Sequence, residues 1–189
     1  KNRTPLVTGV RQKKAISEIE RIAAEKKAPL FRLGTDFKVR RNQGQAFSYY
    51  GMKNVWHNLQ TALVGSFQVD NAALVLAACE LIGENKASVK LKNIREGLDK
   101  HQWPGRLEMV SNDPFIILDG AHNLAAAHNL AKFLSTNLAD RAITLVVGIL
   151  DDKPYKAMLK ALLAPAHRVI FTRAKIDRAL DPQILYEAA

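Results

Sequence analysis

One cysteine, Cys79, is all that the 189 residues contain. A single thiol excludes an internal disulfide and fits a reducing compartment, the cytosol. It sits among alanines and leucines, so it reads as a structural thiol rather than a nucleophile. No apolar run approaches the roughly 20 residues that cross a bilayer. The opening residues, Lys1-Asn2-Arg3-Thr4-Pro5, lack the apolar core of a secretory signal. A membrane is therefore not an expected partner. No phosphate-binding loop of the form Gly-x-x-Gly-Lys-Ser/Thr occurs; Gly83-Glu84-Asn85-Lys86 is the nearest glycine–lysine pair and does not fit. There is no internal repeat and no low-complexity segment.

What is present is a globular composition, 48% apolar and 24% charged, in a length that buries one full core or two small ones. The net charge of +10 is uneven: residues 1–50 hold twelve Lys/Arg against four Asp/Glu. Much of that excess (Arg11, Lys13, Lys14, Arg21, Lys26, Lys27) is mixed with Glu18, Glu20 and Glu25 on one helix. It reads as a solvated helix face, not a nucleic-acid site.

Leu6-Val7-Thr8-Gly9 predicts a strand. Residues 13–27 form a helix with Ile16, Ile19, Ile22 and Ala23 on one face, and residues 29–33 a second strand. Residues 36–60 are β-prone, with Gly44 and Gly51 as turn points. There Phe47-Ser48-Tyr49-Tyr50 and Asn54-Val55-Trp56 predict a hairpin. A helix over 70–82, capped by Asp70 or Asn71, is apolar nearly all round and is expected to be buried. A second helix runs from Val89 to about Lys100. Pro104-Gly105 then stops it and marks a domain boundary, giving residues 1–103 and 104–189. Beyond it strands (107–111, 115–118, 142–148, 168–172) alternate with helices (123–137, 153–164, 182–189). The fold class is α/β, with parallel strands covered on both faces.

Phe115-Ile116-Ile117-Leu118 reads as a buried strand delivering Asp119 and His122 at its carboxyl end, just before a helix. In open α/β sheets that rim is where ligands meet helix N-termini. Arg106, before a strand alternating Leu107 and Met109 with Glu108 and Ser111, suits a phosphate: guanidinium stays charged and binds oxygens in a planar fork. Each has a plainer alternative, as surface arginine, strand-ending turn and helix cap. Asp151 and Asp152 read as helix-dipole partners rather than metal ligands, and no metal site is expected in the chain.

Trp103-Pro104-Gly105-Arg106-Leu107-Glu108, Leu118-Asp119-Gly120-Ala121-His122-Asn123 and Gly148-Ile149-Leu150-Asp151-Asp152-Lys153, in this order and spacing, resemble folylpolyglutamate synthase / dihydrofolate synthase of the Mur ligase superfamily. The resemblance implies the tail of a P-loop ATPase-like central domain (1–103) followed by a Rossmann-like Mur ligase C-terminal domain (104–189). It implies an ATP-dependent ligase that adds L-glutamate to folate or dihydropteroate through an acyl phosphate. Mg2+ and the phosphate loop would be held upstream of Lys1. It further implies that Arg106 meets the terminal phosphate of ATP and that Asp119 helps place the nucleotide. His122 would lie beside the reacting phosphates or the glutamate, and Asn71 would approach the nucleotide. Arg178-Ala179-Leu180 would line the substrate side. Position 67 departs from the pattern, with Phe67 where the family often carries histidine before Gln68. Expected partners are these small molecules alone, in a cytoplasmic monomer. A Mur-type amino-acid ligase of cell-wall synthesis and a non-catalytic nucleotide-binding module are the competing readings.

Overall fold

The computed structural model describes residues 1–42, 46–83 and 90–189. The expected turn at Gly44, the Glu84-Asn85-Lys86 part of the glycine–lysine pair and the expected helix start at Val89 lie outside these. The chain divides into two compact units, Lys1–Gln102 and Trp103–Ala189.

In the first unit β1 (Leu6–Thr8) and β2 (Leu30–Arg32) pair in parallel. Helix α1 (Lys13–Glu25) joins them. It buries Ile16 and Ala23, seven residues and so two turns apart. Its outer face carries Arg21 bound to Glu18 and Glu25, and Glu20 bound to Arg32 of β2, all of them exposed. The basic residues of α1 thus lie on an exposed face where Arg21 is paired within the helix, and each such pair adds little stability.

An antiparallel sheet follows, ordered β3 (Lys38–Arg41), β4 (Phe47–Tyr50) and β5 (Val55–Leu59). The expected hairpin is β4–β5. Strand β3 was not expected, because Lys38-Val39-Arg40-Arg41 is nearly all charge. As an edge strand it keeps that charge in water, which is how sheet edges avoid pairing with other chains. Phe47, Tyr49 and Leu59 are fully enclosed, with Tyr49 stacked on Trp56 at 5.3 Å between centroids. Each enclosed side chain of this size contributes roughly 1.5–3 kcal/mol.

Helix α2 (Ser66–Gly83) packs Val69, Ala72, Ala73, Leu76 and Ala77 into this core, with Ile94 of α3 (Leu91–Lys100). Two expectations about α2 fail. It is not buried all round, since Val75 and Ile82 are more than half exposed. It also starts at Ser66, so Asn71 lies in its second turn and is not a cap. By length and composition α2 is apolar enough to cross a membrane, contrary to the reading of the sequence. Its Gln68 and Glu80 are buried along with the apolar face, the pattern of a core helix.

Glu80 was overlooked in the sequence. Its carboxylate, 7% exposed, accepts hydrogen bonds from the Tyr49 hydroxyl at 3.0 Å and from the amides of Met52 (2.9 Å) and Asn54 (2.7 Å). The Asn54 side chain adds another at 2.8 Å. The β4–β5 turn is therefore closed by a side chain of α2. Gly51 is required there: a Cβ on it would collide with both Glu80 Oε2 and the Tyr49 ring.

Burial, with the Glu80 charge beside it, pushes the Tyr49 hydroxyl far above its ordinary value of 10. The folded state keeps this phenol neutral while the unfolded state releases the proton. The associated stability is complete below pH 10 and falls as pH rises above it. Denaturant unfolding at about pH 8 and pH 11 should show a larger loss in the native chain than in Tyr49→Phe. Equal losses would show that Tyr49 ionises as freely folded as unfolded.

In the second unit β6 (Glu108–Asn112) and β7 (Phe115–Leu118) form an antiparallel hairpin. The expected parallel, buried arrangement is wrong for this pair. Asn112 pairs with Phe115, leaving only Asp113-Pro114 between the strands, and parallel strands need a crossover of a dozen residues or more. Phe115, Ile116 and Leu118 are exposed by 40–53%. So is Met109, at 58%, while Leu107 is buried outside the strand; the expected alternation breaks at a register shift between Met109 and Ser111. The parallel pairing holds further on, where β8 (Thr144–Val147) and β9 (Arg168–Phe171) pair across α5 (Tyr155–Leu163), but the expected covering of both faces does not, since Val146 is 62% and Ile170 48% exposed. Helices α4 (Leu124–Asn137) and α6 (Pro182–Glu187) complete a core of Ala127, Val147, Ile149, Met158, Leu159, Leu162 and Leu185.

Candidate functional site

The β6–β7 ladder ends where Glu108 faces Leu118, so the segment before β6 and the segment after β7 run side by side. Residues 103–106 turn on the Arg106 amide, which donates to the Trp103 carbonyl at 3.2 Å. Gly105 (φ +69) and Leu107 (φ +48) both take left-handed backbone on either side of Arg106. For a branched side chain such as Leu107 that conformation is an outlier, held only where neighbours fix it. Three hydrogen bonds do so. The Gly120 amide donates to the Gly105 carbonyl at 2.7 Å. The Leu107 amide donates to Asp119 Oδ2 at 2.9 Å. The Gly105 amide donates to Glu108 Oε2 at 2.7 Å.

Arg106 Nη1 then donates to the Gly120 carbonyl at 3.0 Å. His122 Nδ1 lies 2.9 Å from the same oxygen. A carbonyl only accepts, so Nδ1 carries the proton, and Nε2 is left as acceptor toward the Asn123 amide at 3.4 Å. One backbone oxygen thereby orders both the guanidinium and the imidazole. A side chain at position 120 would intrude here, since a Cβ would sit 2.8 Å from Arg106 Nη1. Asn123 caps α4 by accepting from the Ala126 amide at 2.9 Å.

Arg106, Asp119 and His122 are thus brought together just past the carboxyl end of β7, none of them in the core. Arg106 and Asp119 are half-buried and His122 is exposed. Among the described residues Nη1 alone of the Arg106 guanidinium nitrogens has a protein partner, so the remaining guanidinium N–H groups suit an anionic ligand. Asp119 turns its carboxylate back on Leu107, where it braces the arginine loop. Glu108 braces the same loop and was not singled out as a site residue in the sequence.

Asn71 belongs to the other unit. Its amide donates to Gln68 Oε1 at 2.9 Å, one turn back along α2. Next to it Asp70 receives Arg11 at 3.1 Å and Arg41 at 2.7 Å, and Arg41 also reaches the Ser66 carbonyl. The cap reading of Asp70 gives way to this double ion pair.

Asp152 serves neither as dipole partner nor in a carboxylate pair. It bridges Lys153 (2.7 Å) and Arg178 (3.4 Å), and the Lys153 hydrogen bond with these charges holds its carboxyl below the ordinary range. The Asp151 amide donates to the Arg178 carbonyl, and the Leu180 amide to Ile149, stitching residues 178–180 to the loop after β8. Among the described residues no group of three or more His, Cys, Asp or Glu is placed to hold a metal ion.

Residues 105–189 match the family described as Mur ligase, glutamate ligase domain. The chain is 37% identical over 191 residues to the dihydrofolate synthase/folylpolyglutamate synthase of Bacillus subtilis, covering 98% of the chain and 44% of that protein. The structure of Mycobacterium tuberculosis folylpolyglutamate synthase complexed with ADP superimposes with a TM-score of 0.91. It has 30% identity and matches 97% of this chain and 42% of that one. A bifunctional folylpolyglutamate synthase/dihydrofolate synthase with Mn, AMPPNP and L-glutamate bound gives 0.81 at 25% identity, over 100% of this chain and 44% of that one. The chain therefore spans less than half the length of the relatives it matches. Its second unit has the mixed α/β fold of the Mur ligase C-terminal domain, and by these matches the chain belongs to the folylpolyglutamate/dihydrofolate synthase family of Mur ligases.

Proposed function

We propose that this chain is the C-terminal part of an ATP-dependent ligase that adds L-glutamate to a folate, and to dihydropteroate where the synthase activity is also present. Residues 1–103 are the tail of the ATPase domain and residues 104–189 the glutamate ligase domain. The observation that carries the reading is the Arg106–Gly120–His122 arrangement, a half-buried guanidinium pre-ordered on a backbone carbonyl inside the region that matches the ligase family.

The chemistry asked of such a site is modest. ATP supplies the phosphoryl group that turns a poor electrophile, the carboxylate, into an acyl phosphate with a good leaving group. The protein supplies position and countercharge. Arg106 offers its unengaged N–H groups to the terminal phosphate. His122, oriented by the Gly120 carbonyl, is assigned to the phosphates or the incoming amine of glutamate. Asp119 supports nucleotide placement by bracing the arginine loop, and Asn71 of the first unit is proposed separately as a nucleotide-contacting residue. The donor set fits a nucleotide phosphate. It does not fit Mg2+, whose ligands belong to the rest of the enzyme, in a cytoplasmic monomer with no nucleic-acid or membrane partner.

The 189-residue chain by itself is then expected to have no ligase activity. Purified and given ATP, Mg2+, L-glutamate and a folate, it should release ADP no faster than a protein-free blank. Release above the blank that depends on glutamate would show that the chain holds a complete site.

A further inference from the structure

Arg106 is the residue the reaction would use, yet the peptide units on either side of it stand in left-handed conformations that need an external brace. Beside the Gly120 amide on the Gly105 carbonyl, the brace includes two carboxylates. Asp119 takes the amide after the arginine, that of Leu107, and Glu108 takes the amide before it, that of Gly105, at 2.7 Å. Glu108 is itself fixed, because it opens β6 and its backbone pairs with Leu118 across the hairpin. Its carboxylate is anchored to a sheet and folded back over three residues onto the turn that presents the guanidinium.

From this geometry we infer that Glu108 is a positioning residue for Arg106: its hydrogen bond to the Gly105 amide holds the arginine turn in the conformation that sets Nη1 on the Gly120 carbonyl. The inference rests on the reading of Arg106 as the phosphate partner. An arginine ordered in advance loses less conformational freedom on meeting its ligand, and a site held by fixed neighbours keeps its geometry through the reaction. Glu108 touches no substrate and acts only through the backbone on which Arg106 is carried.

The test is a double-mutant cycle in the full-length ligase, with turnover, the KM for ATP and thermal melting measured for each variant. Glu108→Ala should lower turnover about tenfold, on the scale of losing one charge-assisted hydrogen bond. Glu108→Gln, which keeps an oxygen acceptor at the same reach, should stay within about threefold of the native enzyme. Glu108→Asp keeps the charge but is one methylene short of the Gly105 amide, and should resemble alanine. It carries the test if the alanine variant melts early. In an Arg106→Ala background Glu108→Ala should add nothing, since the group it positions is gone. A full additional loss in that background, or native turnover in both Glu108→Ala and Glu108→Asp, overturns the positioning role while leaving the Arg106 reading intact. Native turnover in Arg106→Ala alone overturns that reading and the inference with it.

Discussion

Arg106→Ala in the full-length ligase will cut turnover by roughly 100-fold or more, the scale of removing one donor aimed at charge that develops in the transition state. Folding should be unaffected. The arginine is half-buried, and the protein loses only its hydrogen bond to the Gly120 carbonyl. His122 Nδ1 continues to satisfy that carbonyl, so no buried acceptor is orphaned. Arg106→Lys should recover little, because an ammonium cannot hold the carbonyl and a phosphate in one planar fork. Steady-state kinetics with a melting curve for each variant decide the point. A folded alanine variant with near-native turnover would return Arg106 to the role of a surface residue near a domain boundary.

Glu80→Ala will be the most damaging single substitution to stability in the first unit, at about 3–5 kcal/mol. It strands the enclosed Tyr49 hydroxyl and the amides of Met52 and Asn54, all of which the carboxylate now satisfies. It also unties the β4–β5 turn from α2. Glu80→Gln should fall between alanine and the native residue. Its oxygen still accepts, but its –NH2 group is turned toward donors. Chemical denaturation of the isolated variants measures the difference. A loss under about 1 kcal/mol for alanine would show that water replaces the carboxylate at no cost.

Where the sequence misled, the reasons are local and physical. The periodic apolar runs of α4 and α5 were legible because each buries one face in the way its period demands, while α1 leaves Ile22 exposed and the parallel pair β8–β9 leaves Val146 and Ile170 exposed. An asparagine before an apolar run predicts a cap at Asn71. The helix in fact begins at Ser66, directly after Gly65 at φ +110. The four apolar residues of β7 predict a buried strand of a parallel sheet. The better signal was Asn112-Asp113-Pro114, too short a link for anything but a hairpin. Glu80 had a signal too, as an acid one turn on from Leu76 and Ala77 along the buried face of α2. Its partners lie 26–31 residues away, in a turn that no local rule connects to it.

The candidate site was legible in part for a similar reason. Arg106, Asp119 and His122 stood out by residue type and by position around a strand end, and the structure gathers them there. What could not be read was how they are held. Leu107 in a left-handed conformation, and one carbonyl shared by a guanidinium and an imidazole, are properties of the folded hairpin. The role of Glu108 follows from those same features.

The full-length protein gives the most direct test of the ligase assignment through the product it makes. Incubated with ATP, Mg2+, L-glutamate and a reduced folate, it should yield a folate heavier by one glutamyl residue, with one ADP released per residue added, as read by mass spectrometry of the products. No mass gain on any folate or on dihydropteroate, with the same enzyme extending a cell-wall precursor or consuming no ATP at all, would contradict it.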